Sequence, residues 1–306
     1  MALTMGKSDN GYLTIIMLFM SLPLFAFASI DKLRRYFTIL ASYVSVIKKI
    51  QLIETVMGDR VSKIEGLYTY IVKFPYLTLV VIVLWIISAL IFVLEYRKTV
   101  IERGFEKIKS AKLLTIIWSG FIILASIVGL FVIYKVNMGE LVINNPIIEY
   151  LKFDDSWGTF RGYIWRAALE EYLRFPLVHK IFGSGPDTFG IYIDLLRREE
   201  MIGITGQFFD AAHNEYLQFL FTLGPIATIS YILGLVLPSI KAFRTEILEL
   251  RDDAMLPFLY ACAMAVICYA TQAVVNLNLP VVTPFLWIFL SMMVALLRDK
   301  GEVING

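Results

Sequence analysis

Six stretches of this 306-residue chain are each roughly 20 residues long and predominantly apolar, the length a helix needs to cross a bilayer. They cover about 12–30, 74–94, 113–134, 216–237, 257–275 and 281–297. A segment inside hydrocarbon must satisfy its own backbone hydrogen bonds, so each has to be a helix. The expected fold is therefore all-α, a polytopic transmembrane helix bundle. Composition agrees, with 58% hydrophobic and 18% charged residues. No basic tail or repeated basic patch points to nucleic acid. Cys262 and Cys268 lie six apart in one apolar run, on different faces of a helix, and read as packing residues.

Charge orients the spans. The short loop 95–112 carries six Lys/Arg, loop 238–256 carries three, and the tail carries Arg298 and Lys300. The positive-inside rule places all three in the cytoplasm. Alternation then puts the N- and C-termini inside and residues 135–212 outside. Residues 31–73 fit poorly: expected outside, they hold eight Lys/Arg against four acids. Their apolar middle, 37–47, is bracketed by Arg34, Arg35, Lys48 and Lys49 and reads either as an interfacial amphipathic helix or as an extra span. No cleavable leader is evident: the first apolar run is too long and is followed at once by charges.

The outer segment 135–212 is too long for a connector. Residues 157–175 read as an amphipathic helix with Arg161, Trp165 and Leu169 on one face. Pro176 stops it. A tight turn, FGSGPDTF (182–189), follows, and then a helix over about 188–200. The run AHNEYLQ (212–218) sets His213 at the mouth of the fourth apolar segment, where an ionisable group is costly to desolvate and signals function.

Three blocks carry a family likeness. They are TFRGYIW (159–165), PL followed by FGSGPDTF (176–177 and 182–189), and HNEYLQ followed by Gly224. In order and spacing they resemble the O-antigen ligase and polymerase-like superfamily of polytopic membrane glycosyltransferases. GPDTF and AHNEYLQ look most like its Gram-positive members. The likeness is close over about 159–231 and looser to Trp287. Family members have about ten to fourteen spans, so the chain looks like the C-terminal half of such a protein.

The resemblance implies transfer of a glycan from a polyprenyl-diphosphate carrier, such as undecaprenyl diphosphate, to an acceptor hydroxyl on the outer face of the cell membrane. The acceptor is a glycan, a protein or a wall component, membrane lipid surrounds the site, and no cofactor or metal is expected. Such chemistry needs a cation for the leaving diphosphate and a base near neutral pKa. His213 is the candidate base, at a helix N-terminus whose dipole favours the neutral imidazole. Arg161 is the candidate diphosphate binder. Arg166 and Arg174 rank behind it, because charged helices usually just show a solvated face. Asn214 and Glu215 would orient the histidine or a sugar hydroxyl, and Gly183 and Gly185 would bring backbone amides to the donor. Trp165 reads as packing or an interface anchor, and His179 as nothing specific. Asn276 and Asn278 either line the site or cap helix ends. The rival readings are a lipid-linked oligosaccharide flippase and an inactive remnant of the family. Spans with almost no interior charge count against the first.

Overall fold

A computed structural model describes residues 9–57, 67–101, 111–141, 151–248 and 255–305. The described residues are almost entirely helical: α1 (Asp9–Ala26), α2 (Ile30–Met57), α3 (Leu67–Val72), α4 (Leu77–Tyr96, prolonged by one π-helical stretch, Arg97–Ile101), α5 (Ala111–Asn137), α6 (Trp157–Arg174), α7 (Leu177–Phe182), α8 (Phe189–Thr205), α9 (Glu215–Leu248), α10 (Leu256–Gln272) and α11 (Thr283–Asn305). The bundle expected from the apolar runs is what forms. Much of the basic loop 95–112 lies outside the described residues.

Among the described residues, four helices are long and apolar enough to cross a membrane: Ile30–Met57, Leu77–Tyr96, Leu113–Asn137 and Glu215–Arg244. Gly11–Ala26, Leu256–Gln272 and Thr283–Arg298 are shorter apolar helices. Each of the six expected segments thus coincides with an apolar helix. The addition is α2, whose 28 residues take in the short stretch read as interfacial or spanning.

The chain divides into two compact units. The first comprises 1–128 and 243–260. In it α2 runs antiparallel along α4, joined at three levels. Arg34 Nε meets Glu95 Oε2 at 2.5 Å, the Thr38 and Ser88 hydroxyls lie 2.8 Å apart, and Trp85 Nε1 donates to Ser45 Oγ at 3.0 Å. At the C-terminal end of α1, Trp118 Nε1 donates to the Met20 carbonyl (2.8 Å), and the Phe25 ring lies 5.0 Å from that of Tyr260. Tyr12, Ile47, Val72 and Leu77 form a small buried cluster.

The second unit comprises 129–242 and 261–306. Its core joins α6 (Tyr163, Ile164, Ala167, Ala168), α8 (Phe189, Ile193, Met201) and the start of α9 (Leu217, Phe221), with Phe175, Phe209 and Ala212 between them. The i, i+3, i+4 spacing on α6 gives the buried stripe that a surface helix needs. Pro176 ends α6 as expected, because the residue before it, Phe175, is extended (φ −56°, ψ 144°). Cys262 and Cys268 form no disulfide with each other.

Candidate functional site

The first turn of α6 is left-handed: Gly158, Thr159 and Phe160 have φ of 60°, 63° and 67°. Glycine tolerates this, whereas each of the other two residues costs about 1–3 kcal/mol. Several contacts enforce it. Trp157, Phe160 and Tyr163 donate backbone N–H groups to the carbonyls of Asp154, Ser156 and Asp155. A Cβ on Gly162 would lie 1.8 Å from the Asp154 oxygen, so only glycine fits there. Arg161 folds back over the turn, its Nη1 donating to the Gly158 carbonyl at 3.0 Å. The turn thereby fixes where the guanidinium sits.

One turn along the same face, Trp165 Nε1 donates to the Ala212 carbonyl at 2.8 Å, across 47 residues of sequence. The Ala212 N–H donates to Gln218 Oε1 at 2.9 Å. The residue before His213 is thus clamped through both its backbone groups. Asn214 Oδ1 caps α9 by accepting the Leu217 N–H (3.0 Å), as an N-cap asparagine should. Tyr216 Oη donates to the Ala270 carbonyl (2.7 Å).

Glu215 is 1% exposed. Its carboxylate accepts hydrogen bonds from Tyr231 Oη (2.7 Å), Tyr269 Oη (2.8 Å) and Asn278 Nδ2 (3.0 Å). Its backbone N–H donates to the Ala273 carbonyl at 2.9 Å. A buried carboxylate is tolerable only when its lone pairs are filled, and these three donors from α9, α10 and the following loop fill them. Asn214 and Glu215, expected to orient the histidine or a sugar, are instead committed to the protein's own frame.

His213 is half-buried with φ of 50°, and its ring stands edge-on to Phe209 at 5.7 Å. Burial pushes its pKa below the usual imidazole value, the positive charge of Arg161 pushes it further, and Asp210 opposes them. The sequence anticipated the direction but credited the helix dipole. Four non-glycine residues among those described have positive φ: Thr159, Phe160, Asp187 and His213. Two of them immediately precede Arg161 and a third is His213 itself, so backbone strain concentrates at the two expected residues.

Arg166 lies elsewhere. Its Nε and Nη2 grip Asp155 at 2.9 and 2.8 Å, and Nη1 reaches Glu170 at 3.1 Å. Arg197 joins the lattice, binding Glu170, Glu171 and Glu200 at 2.6–2.7 Å. Arg174 pairs with Glu171 (2.8 Å). Arg166 and Arg174 are thus both matched to carboxylates.

The amides of Gly183 and Gly185, expected to approach the donor, bond carbonyls of the protein itself. Gly183 N–H closes α7 on the His179 carbonyl, while Ser184 and Gly185 donate to the carbonyls of Phe221 and Thr222 at 2.9 Å. The glycines serve a backbone-to-backbone approach: a Cβ on Gly183 would lie 2.2 Å from the Thr222 carbonyl carbon. Asn276 accepts from the neighbouring Leu277 N–H, and Asn278 holds Glu215. Sequence reasoning missed Tyr231, Tyr269 and Gln218, and gave Trp165 too small a part. Tyrosines facing inward from apolar segments were the available signal, since a buried hydroxyl needs an acceptor.

Among the described residues, no group of three or more His, Cys, Asp or Glu is placed to hold a metal ion. Comparison with known proteins gives one family. The family model described as O-antigen ligase matches residues 71–232, just over half of the chain, and includes Arg161, the FGSGPDTF turn and His213. No curated protein and no solved structure matches. The match spans all three motif blocks, including the two that carry Arg161 and His213, and this chain belongs to the O-antigen ligase family.

Proposed function

We propose that this protein transfers a glycan from a polyprenyl-diphosphate carrier to an acceptor hydroxyl, with His213 as base and Arg161 as diphosphate binder. The observation that carries this reading is the hydrogen bond from Trp165 to the Ala212 carbonyl, which ties the helix bearing Arg161 to the residue before His213 across 47 positions, so that the Arg161 charge helps lower the imidazole pKa. His213 takes the proton of the acceptor hydroxyl, whose oxygen then bonds to the anomeric carbon. The bond from that carbon to the diphosphate oxygen breaks, and Arg161 stabilises the charge on the leaving diphosphate. A lowered imidazole pKa suits the role, keeping the ring neutral through the working range. Glu215 is a positioning residue: it ties the first turn of α9 to α10 and the 273–278 loop, two residues from the base.

The first unit supports a topology with α2 as a span. Its pairing along the length of α4 takes it through the same slab, and Arg34 then joins Glu95 on the cytoplasmic side with the basic loop. The basic cluster 31–35, which fitted badly outside, falls inside. In this topology α1 would enter from the outside, opposite to the direction expected from six spans, and the His213 segment would still lie outside.

The test is transfer by purified protein in proteoliposomes, supplied with diphosphate-linked oligosaccharide and a panel of acceptors. Wild type should form product, and His213→Ala and Arg161→Ala should not. Wild-type rates in both variants would defeat the mechanism.

A further inference from the structure

The short helix α7 has an unusual surface. Leu177, Val178 and Phe182 are 72%, 64% and 67% exposed, Ile181 is 36% exposed, and Leu173 just before is 68% exposed. A contiguous apolar patch of this kind on a polar outer segment calls for something to cover it.

The position of α7 is fixed by the fourth long apolar helix. Pro225 has no N–H, so the Phe221 carbonyl lacks its usual donor in α9, and Gly224 (φ 79°, ψ 174°) breaks the helix there. The two carbonyls next to the break are filled from outside the helix, Phe221 by the Ser184 N–H and Oγ and Thr222 by the Gly185 N–H. The contact is backbone against backbone: a Cβ on Gly224 would lie 2.1 Å from the Ile181 oxygen. The residues FGSG and TLGP are two halves of one joint, and α7 hangs from it.

The joint lies inward from the mouth of the helix. From Glu215 to Phe221 is about 9 Å along the axis. Counting about 20 residues outward from Lys241, one hydrocarbon thickness, also ends at Phe221. α7 is therefore level with the border between acyl chains and headgroups on the side that Glu215 faces. Lys180 lies among its apolar residues and suits a lipid phosphate.

We propose that α7 is a membrane-inserted foot, with Leu177, Val178 and Phe182 seated in the acyl chains of the leaflet that Glu215 faces. The partner is the lipid surface itself. The foot would fix the height of the outer segment above the bilayer. The inference rests on α9 as a span and is independent of the transfer chemistry.

The test uses the full chain with Cys262 and Cys268 replaced by alanine, and a single cysteine at Val178→Cys, Phe182→Cys or the exposed control Glu199→Cys. Each is labelled with an environment-sensitive fluorophore and reconstituted in phosphatidylcholine and phosphatidylglycerol vesicles. At 178 and 182 the emission should be blue-shifted, quenched by lipids carrying a spin label near the headgroup, and several-fold less sensitive to iodide than at 199. Iodide quenching equal to that at 199 would put α7 in water and overturn the proposal. Iodide protection without lipid quenching would show a protein covering the face, and would overturn it too. Two labelled positions guard against one cysteine disturbing the joint.

Discussion

The two arginine settings on α6 differ in kind. Arg166, within the regular part of the helix, sits among Asp155, Glu170 and Glu200, and its partner Arg197 is likewise ringed by carboxylates. Arg161, five residues earlier, sits on a left-handed turn, bonds a backbone carbonyl and acts on a half-buried histidine. The first setting matches each charge and needs no strained backbone. The second concentrates strain and sets two groups together that repel when both are charged. Folding alone has no use for such an arrangement, whereas a site that must bind an anion and accept a proton does.

The largest effect should come from removing the base. His213→Ala should lower transfer by about 10²–10⁴-fold, the usual contribution of a general base, with the protein still folded. Arg161→Gln should cost about 10²–10³-fold, as for loss of a group that stabilises developing negative charge. It should also move the acid limb of the pH–rate profile. The wild-type imidazole pKa lies below 6.5 partly because of Arg161, so activity falls only below that pH; without the charge the pKa rises and the limb moves up. If Arg166→Gln had the same two effects, the contrast between the settings would fail.

Stability should respond in the opposite order. Glu215→Leu takes the acceptor from the half-buried hydroxyls of Tyr231 and Tyr269, at up to about 1–3 kcal/mol each, and should lower the thermal transition more than Glu215→Gln, which keeps an acceptor. If Glu215 positions the base, Glu215→Gln should lower kcat with KM little changed. Arg166→Gln should barely touch kcat and should loosen the outer segment. The smallest effect is that of acid. The Arg166 and Arg197 guanidiniums hold Asp155 and Glu170 respectively below the usual carboxylate range. The stability they contribute is full above about pH 4 and is lost as pH falls through the lowered values. Both are well exposed, so the loss should be modest, visible as earlier proteolysis of the outer segment in acid.

What the sequence revealed was local. The start and stop of α6, the break at Pro176 and the placing of His213 follow from periodicity, proline and capping within a few residues. What stayed hidden was pairing at a distance. The FGSGPDTF turn reads from sequence either as a close approach to a ligand or as a chain reversal, because its partner, the Gly224 and Pro225 break, lies some 40 positions on. An interrupted apolar run is a signal that freed carbonyls need donors, and that signal was available. Glu215 looked free to meet substrate because Tyr269 and Asn278 lie 54 and 63 positions away. The extent of α2 was obscured by Lys48 and Lys49, which dilute its hydropathy to 1.2 against 3.1 for α4.

The chain has only two histidines, His179 and His213, which makes one measurement especially direct. Histidine labelled with carbon-13 and titrated by NMR in nanodiscs gives two resonances, and His213→Ala assigns them. The account predicts that His213 titrates below 6.5 in the wild type and moves upward in Arg161→Gln. An unshifted His213 in that variant would show that the two groups do not form one site, and would contradict the account.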